Sequence, residues 1–279
     1  MNVLVTGTSG RVGHYIVQEL KTTGHQALGV DIVPGKNTSL IVDLTKSGEI
    51  YHALARAKAD AVVHMGAWAN AGVVPDSRTY GENVQGTFNL FQACADLGIK
   101  RIVSASSAQI YGFASVPPQY VRVDENHPIN PVNSYALSKA AGEQAADYFV
   151  KNFGLNILSF RLLGIRPPQE LGKQIQDLMK NSESGSSLLW TRTDARDCAI
   201  ACRQAVEIPE VESGPYNITG ARVLVDIPTQ ELIQKCWPDT EIRGDLHDFE
   251  SPLCCDRAKK AFGYNPQYVW SPSKRHLES

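Results

Sequence analysis

The chain has 279 residues, 43% hydrophobic and 20% charged, with 22 glycines and 15 prolines; this is globular composition and excludes a disordered, collagen-like or coiled-coil chain. Lysine and arginine number 27 against 29 aspartates and glutamates, a net charge of -2 without a basic run, which excludes a phosphate-backbone binder and so nucleic acid as a partner. No apolar run reaches the roughly 18–20 residues of a membrane span, and Met1–Gly7 lacks the basic and small-residue pattern of a signal peptide.

Asn2–Thr6 is short, apolar and followed by glycine, which predicts a buried parallel strand. Arg11–Thr23 carries Val12, Tyr15, Ile16 and Leu20 at helical spacing, and Gly24 supplies the stop. Further strands are predicted at Gln26–Asp31, Leu40–Val42, Ala61–Met65, Ile102–Ser104 and Ile157–Phe160, and helices at Gly48–Lys58, Asn83–Leu97 and Ser134–Asn152. Strands alternating with helices of this length predict an α/β fold, a doubly wound parallel sheet with right-handed crossovers. Beyond Arg161 the pattern loosens. Pro167-Pro168 reads as a chain break and Asn181–Ser187 as a polar loop, followed by helices at Asp194–Val206, Pro228–Cys236 and Asp256–Phe262. The expected organisation is a dinucleotide-binding region over residues 1–165 and a small C-terminal substrate-binding cap over 166–279 that does not fold independently. No internal repeat is present.

Gly7-Thr8-Ser9-Gly10-Arg11-Val12-Gly13 follows the first strand and opens the first helix. Glycines there permit a tight turn and close approach of backbone to a pyrophosphate facing the helix N-terminus. Asp31 ends the second strand, 18 residues after Gly13, where a carboxylate accepts hydrogen bonds from ribose hydroxyls. A carboxylate at that point repels a 2′-phosphate, and Ile32 and Val33 offer no guanidinium, so NAD is favoured over NADP; Arg11 is the one loop residue able to reach a phosphate.

Tyr135 and Lys139 lie four apart, on one face of a predicted helix. A tyrosine titrates near 10 when free, and a neighbouring ammonium favours its phenolate, bringing it towards the range of a useful base. Ser104-Ala105-Ser106-Ser107-Ala108-Gln109-Ile110-Tyr111-Gly112 is a hydroxyl-rich stretch leaving the fifth strand, and ligands in open α/β sheets sit at the carboxyl ends of strands. The six cysteines, with Cys198 and Cys202 one turn apart and Cys254 and Cys255 adjacent, have no neighbouring histidine; reduced thiols are expected rather than a metal site, and the chain reads as cytoplasmic.

With these pieces in place the chain resembles the extended short-chain dehydrogenases/reductases, the NAD-dependent epimerase/dehydratase family. The matching motifs are Thr6–Gly13, Asp43-Leu44, Val62-Val63-His64-Met65-Gly66-Ala67, Asn83-Val84-Gln85-Gly86-Thr87, Ser106–Gly112 and Tyr135-Ala136-Leu137-Ser138-Lys139, in order over residues 1–165. The resemblance implies a Rossmann-type fold and NAD as cofactor, held by Gly7, Ser9, Gly10, Arg11, Val12, Gly13 and Asp31. It implies that Tyr135 is the general acid/base, that Lys139 tunes it and holds the nicotinamide ribose, and that Ser107 orients the reacting oxygen. Asp43 and Leu44 would meet the adenine, and Gly66 and Ala67 would line the groove. Asn83 is either a cofactor-side residue or a helix cap. His64 reads as a core histidine, and Trp68 as either pocket wall or core. A homodimer is implied through the helices beginning near Asn83 and Ser134, with Phe88, Phe91 and Phe149 serving core or interface.

Members acting on nucleotide-linked sugars usually carry a long segment after the sixth strand, leading to an Arg-x-(Tyr/Phe)-(Ile/Val)-His-Val-x-Asp stretch. Here Arg161 and Trp190 are only 29 residues apart, and Trp190 and Asp194 fill the Arg and His positions. A smaller substrate follows, in the manner of uronate dehydrogenases. Arg166, Lys173 and Arg192 read first as solvated charge, with a substrate carboxylate as the alternative, and Arg196 as half of an ion pair. The leading expectation is an NAD-dependent dehydrogenase of a small sugar, sugar acid or polyol. The alternative is a nucleotide-sugar epimerase or dehydratase that recycles bound NAD, and a non-catalytic NAD sensor is disfavoured by the intact tyrosine and lysine.

Overall fold

A computed structural model describes residues 1–272. Seven parallel strands form the central sheet: β1 (Asn2–Thr6), β2 (Gln26–Asp31), β3 (Leu40–Ile41), β4 (Ala61–His64), β5 (Arg101–Ser107), β7 (Asn156–Leu162) and β8 (Gly214–Ile218), in the order β3-β2-β1-β4-β5-β7-β8. A separate parallel ribbon joins β6 (Tyr120–Val121) to β9 (Glu241–Ile242).

Strands buried on both faces need continuous apolar runs, and β1 and β4 supply them. Alternate residues face opposite layers. Val3, Val5, Val63, Val103 and Phe160 pack under α1 (Gly13–Thr22), α6 (Ala195–Glu207) and α8 (Asp256–Phe262). Leu4, Val30, Val62, Ile102 and Ile157 pack under α2 (Ser47–Ala57), α3 (Asp76–Asp96) and α4 (Ser134–Phe153). A third cluster, built on Trp190, Trp237, Val223 and Leu232, fills the cap with α5 (Pro168–Lys180) and α7 (Thr229–Cys236).

The structure departs from the sequence reading in several places. Helix α3 starts at Asp76, behind Pro75, seven residues before the predicted start; Asn83 therefore lies inside the helix and is not its cap. Strand β5 runs on to Ser107, because Ser104, Ser106 and Ser107 pair with Ser159, Arg161 and Leu162 of β7. The Pro167-Pro168 pair opens α5 rather than breaking the chain, since proline suits a first turn whose N–H groups have no helical partner. Ser182–Leu188 winds into a 3-10 turn capped by the Asn181 side chain, where a loop was expected. The sheet itself extends beyond residue 165: β8 pairs with β7, and α6 packs on α1. Residues 273–279 of the expected cap lie outside the described residues.

Candidate active site

A cleft of about 680 Å3 opens at the carboxyl ends of the strands, where strand order reverses between β1 and β4. Gly7, Ser9, Gly10, Arg11 and Val12 line one end. Gly7 has φ of +75°, and a Cβ on Gly13 would stand 2.2 Å from the Gly7 carbonyl oxygen. Gly13 therefore sits behind the loop, letting α1 start directly against it, and does not reach the cleft.

Asp31 lines the same end, its carboxylate set by Ser9 N–H at 2.9 Å and Val33 N–H at 3.1 Å. Asp43 stands nearby, accepting from the Thr45 N–H and hydroxyl at 2.9 and 2.8 Å. Leu44 forms a wall against Gly66, and Gly66 and Ala67 continue it. The Thr6 hydroxyl organises this turn by accepting from the Met65 and Gly66 N–H groups at 3.1 and 3.0 Å. With both acceptor sites used, its own proton points to His64 Nδ1 at 2.9 Å. His64 Nε2 meets Thr87 Oγ1 at 3.2 Å, and burial pushes the imidazole down to about 3, so it is a neutral core histidine. A bare backbone loop at a helix N-terminus, flanked by two carboxylates, fits a dinucleotide.

Ser107, Tyr135 and Lys139 line the other end. Asn133 caps α4 by accepting from Ala136 N–H at 2.8 Å, which fixes the first turn and aims Tyr135 inward. Lys139 Nζ donates to Ala105 O at 2.8 Å and stands 5.7 Å from the Tyr135 ring centroid. Burial lowers Lys139 to about 8 and raises Tyr135 above its ordinary value. Sequence reasoning expected the ammonium to lower Tyr135. Burial dominates instead, and the contact that opposes it is the hydrogen bond from Ser107. The Ser107 hydroxyl oxygen also accepts from Gln109 N–H at 3.2 Å, so it is oriented from both sides.

Asn83 is buried behind this trio and lines the cleft. Its Oδ1 accepts from Trp68 N–H at 2.8 Å, and its Nδ2 donates to Trp68 O at 3.1 Å and Ser138 Oγ at 3.0 Å. It ties the loop after β4 to α4. Trp68 is a cleft wall: its Nε1 donates to Glu82 at 2.6 Å and Arg78 lies 5.0 Å over the ring.

Sequence reading missed a network beneath the serines. Ser106 Oγ donates to Glu143 at 2.5 Å, Glu143 pairs with Arg161 at 2.8 Å, and Arg161 reaches Tyr111 OH at 3.0 Å. Glu143, one turn after Lys139, was its available signal. Of the basic residues considered, Arg166 lines the cleft, Lys173 is exposed on α5, and Arg192 lies behind Gly164. Arg196 forms its ion pair with Asp194 at 2.9 Å, and Trp190 is buried against Trp237.

A sequence profile of the NAD dependent epimerase/dehydratase family matches residues 3–218. The chain is 30% identical, over 98% of its length and 86% of the other's, to a UDP-glucose 4-epimerase of Lactobacillus helveticus. It is 30% identical over 61% of its length to a uronate dehydrogenase of Pseudomonas putida, spanning 63% of that protein. A short-chain dehydrogenase/reductase superfamily protein from Agrobacterium tumefaciens, solved with NAD, superposes with a TM-score of 0.73 at 22% identity, covering 96% of this chain and 93% of that one. At that identity the likeness concerns the fold.

Proposed function

Because the chain belongs to the NAD dependent epimerase/dehydratase family, we propose that it is an NAD-dependent oxidoreductase moving hydride between NAD and a hydroxyl or carbonyl of a small sugar, sugar acid or polyol. The observation that carries this reading is one cleft of about 680 Å3 with the glycine loop and Asp31 at one end and Ser107, Tyr135 and Lys139 at the other. That volume lies within the range of single-ligand pockets.

NAD, when bound, supplies the hydride acceptor. In the direction of oxidation Tyr135 takes the hydroxyl proton, Ser107 holds the reacting oxygen, and Lys139 provides the nearby cation and a donor for ribose. Gly7, Ser9, Gly10, Arg11 and Val12 cradle the pyrophosphate, with Gly13 shaping the loop from behind. Asp31 takes the ribose hydroxyls, Asp43, Leu44, Gly66 and Ala67 flank the adenine side, and Asn83 holds the wall in place. The test is a panel of free sugars, uronates, polyols and nucleotide sugars read by NADH absorbance. An epimerase with retained NAD is the alternative, favoured by the likeness along almost the whole chain to a 4-epimerase. Net NADH from a free sugar selects the dehydrogenase; product isomer without NADH selects the epimerase.

NAD should bind at least tenfold more tightly than NADP. Asp31 is flanked by Ile32 and Val33, and Arg11 is turned towards Glu170 at 3.6 Å. Fluorescence titration with both cofactors checks this, and equal or tighter NADP binding removes the role given to Asp31.

The reading also includes a homodimer and a cytoplasmic setting. All six cysteines are unpaired, as reducing conditions keep them, and among the described residues no helix is long and apolar enough to cross a membrane. Helices α3 and α4 pack side by side and leave Tyr80, Phe88, Leu137 and Tyr148 exposed at helical spacing. Phe91 and Phe149 are core; Phe88 is free to meet a second copy. Light scattering at micromolar concentration should give the mass of two chains, reduced to one by Phe88→Glu. A monomer in the unaltered protein would discard the dimer.

A further inference from the structure

The chain leaving β7 and the chain entering α6 run side by side. Arg166 N–H donates to Thr193 O at 2.9 Å, and Ala195 N–H donates to Arg166 O at 3.0 Å. This register lays Arg192 against Gly164, where a Cβ would stand 2.7 Å from Arg192 Cδ. The bare glycine lets the arginine stem lie across a segment, Leu162–Arg166, that lines the cleft. Leu162 pairs with Ser107, so Arg166 follows within about 14 Å, the reach of four extended residues. The segment therefore runs between the Ser107 end of the cleft and the glycine loop, whose Arg11 shares Glu170 with Arg166.

Charge is uncompensated there. Arg192 is mostly buried, its Nε donating to Gln174 Oε1 at 3.0 Å and Nη1 to Thr191 O at 2.6 Å, with no carboxylate in ion-pair reach among the described residues. Arg166 donates to Ile165 O at 2.7 Å, and its nearest carboxylate is Glu170 at 3.7 Å. Glu170 is shared, since Arg11 approaches its other oxygen at 3.6 Å. Two guanidiniums thus share one half-exposed carboxylate, and the third, Arg192, has none. Burial, and then the charge of Arg166, pushes Arg192 down to about 10. Burying an arginine without a counter-charge is costly, and the deficit is met when an anion arrives.

Resting on the oxidoreductase reading, we propose that Arg166 and Arg192 form an anion subsite for the carboxylate of an acidic sugar substrate, with Glu170 as the group the substrate displaces. Arg166 meets the carboxylate from the cleft wall. Arg192 stands behind it as the second charge, and Gly164 makes room for it. Lys173 takes no part.

The experiment is calorimetric binding of a hexuronate and of the neutral hexose of the same configuration, both in the presence of NADH. The unaltered protein should bind the acid at least tenfold more tightly than the neutral sugar. Arg166→Gln and Arg192→Gln should each reduce that preference about tenfold. Glu170→Gln should tighten acid binding several-fold, a change of opposite sign that damage to the fold would not produce. Should Arg192→Gln fail to fold, the opposed pair Arg166→Gln and Glu170→Gln still decides. The subsite is overturned by three results: no acid preference in the unaltered protein, an Arg166→Gln loss that falls on NAD affinity, or a preference confined to a sugar diphosphonucleoside. Uronate binding without NADH formation from any substrate would instead sink the oxidoreductase reading and leave the subsite standing.

Discussion

Tyr135→Phe is expected to lower turnover by about a hundredfold or more, since positioned acid/base catalysis contributes about 10² to 10⁴. One oxygen is removed and the buried ring stays, so melting temperature and NAD affinity should change little. Ser107 keeps its hydrogen bond from Gln109 N–H at 3.2 Å and remains oriented for the substrate. Steady-state NADH absorbance gives turnover, and a thermal melt with and without NAD gives the other two. Near-native turnover would mean that another group moves the proton, and both the dehydrogenase and the epimerase readings would fall.

Lys139→Met should slow turnover, weaken NAD binding and yet stabilise the protein without cofactor. Lys139 is buried with one hydrogen bond, to Ala105 O at 2.8 Å, and titrates at about 8. In the unfolded chain a lysine titrates near 10.4. Between those values the unfolded state holds the additional proton, so stability of the unaltered protein rises with pH across that window and the burial cost is fully present below it. Removing the charge should therefore add up to about 3 kcal/mol at pH 7, and the advantage should shrink as pH approaches 10. Denaturant melts at the two pH values check the sign; a variant less stable than the parent at pH 7 would refute it.

The pH–rate profile gives a second reading of the same lysine. Lys139 titrates at about 8 and burial raises Tyr135 above its ordinary value, so the lysine is already neutral where the tyrosine ionises, and Lys139→Met should leave the limb governed by Tyr135 in place. The two substitutions should not add, because both act on one proton transfer.

The strands β1 and β2 were legible to the residue because an apolar run closed by a glycine or an acid leaves little choice of boundary. The start of α3 was hidden because, of its first seven residues, only Thr79 is buried, and no apolar stripe announces a helix. Strand β8 begins Gly214-Pro215, which reads as a turn; its pairing with β7 is decided by tertiary packing. Within the cleft, Tyr135 and Lys139 were legible because one helical turn separates them. Arg166 and Arg192 meet only through the ladder between β7 and α6, and Ser106, Glu143 and Arg161 only through the pairing of β5 with β7. Contacts between distant segments leave no periodicity to read.

The two outer strands of the sheet bear on how copies of the molecule behave when crowded. A bare strand edge presents unpaired N–H and C=O groups on which a strand from another chain can add. One edge here is β3, only two residues long, and the other is β8, whose Pro215 has no N–H to offer and whose Tyr216 is covered by Arg257 at 4.7 Å. Neither offers a template long enough for a sheet to grow from molecule to molecule. Association is thereby steered away from open-ended stacking and towards side chains on the helical faces, where a twofold contact closes on itself.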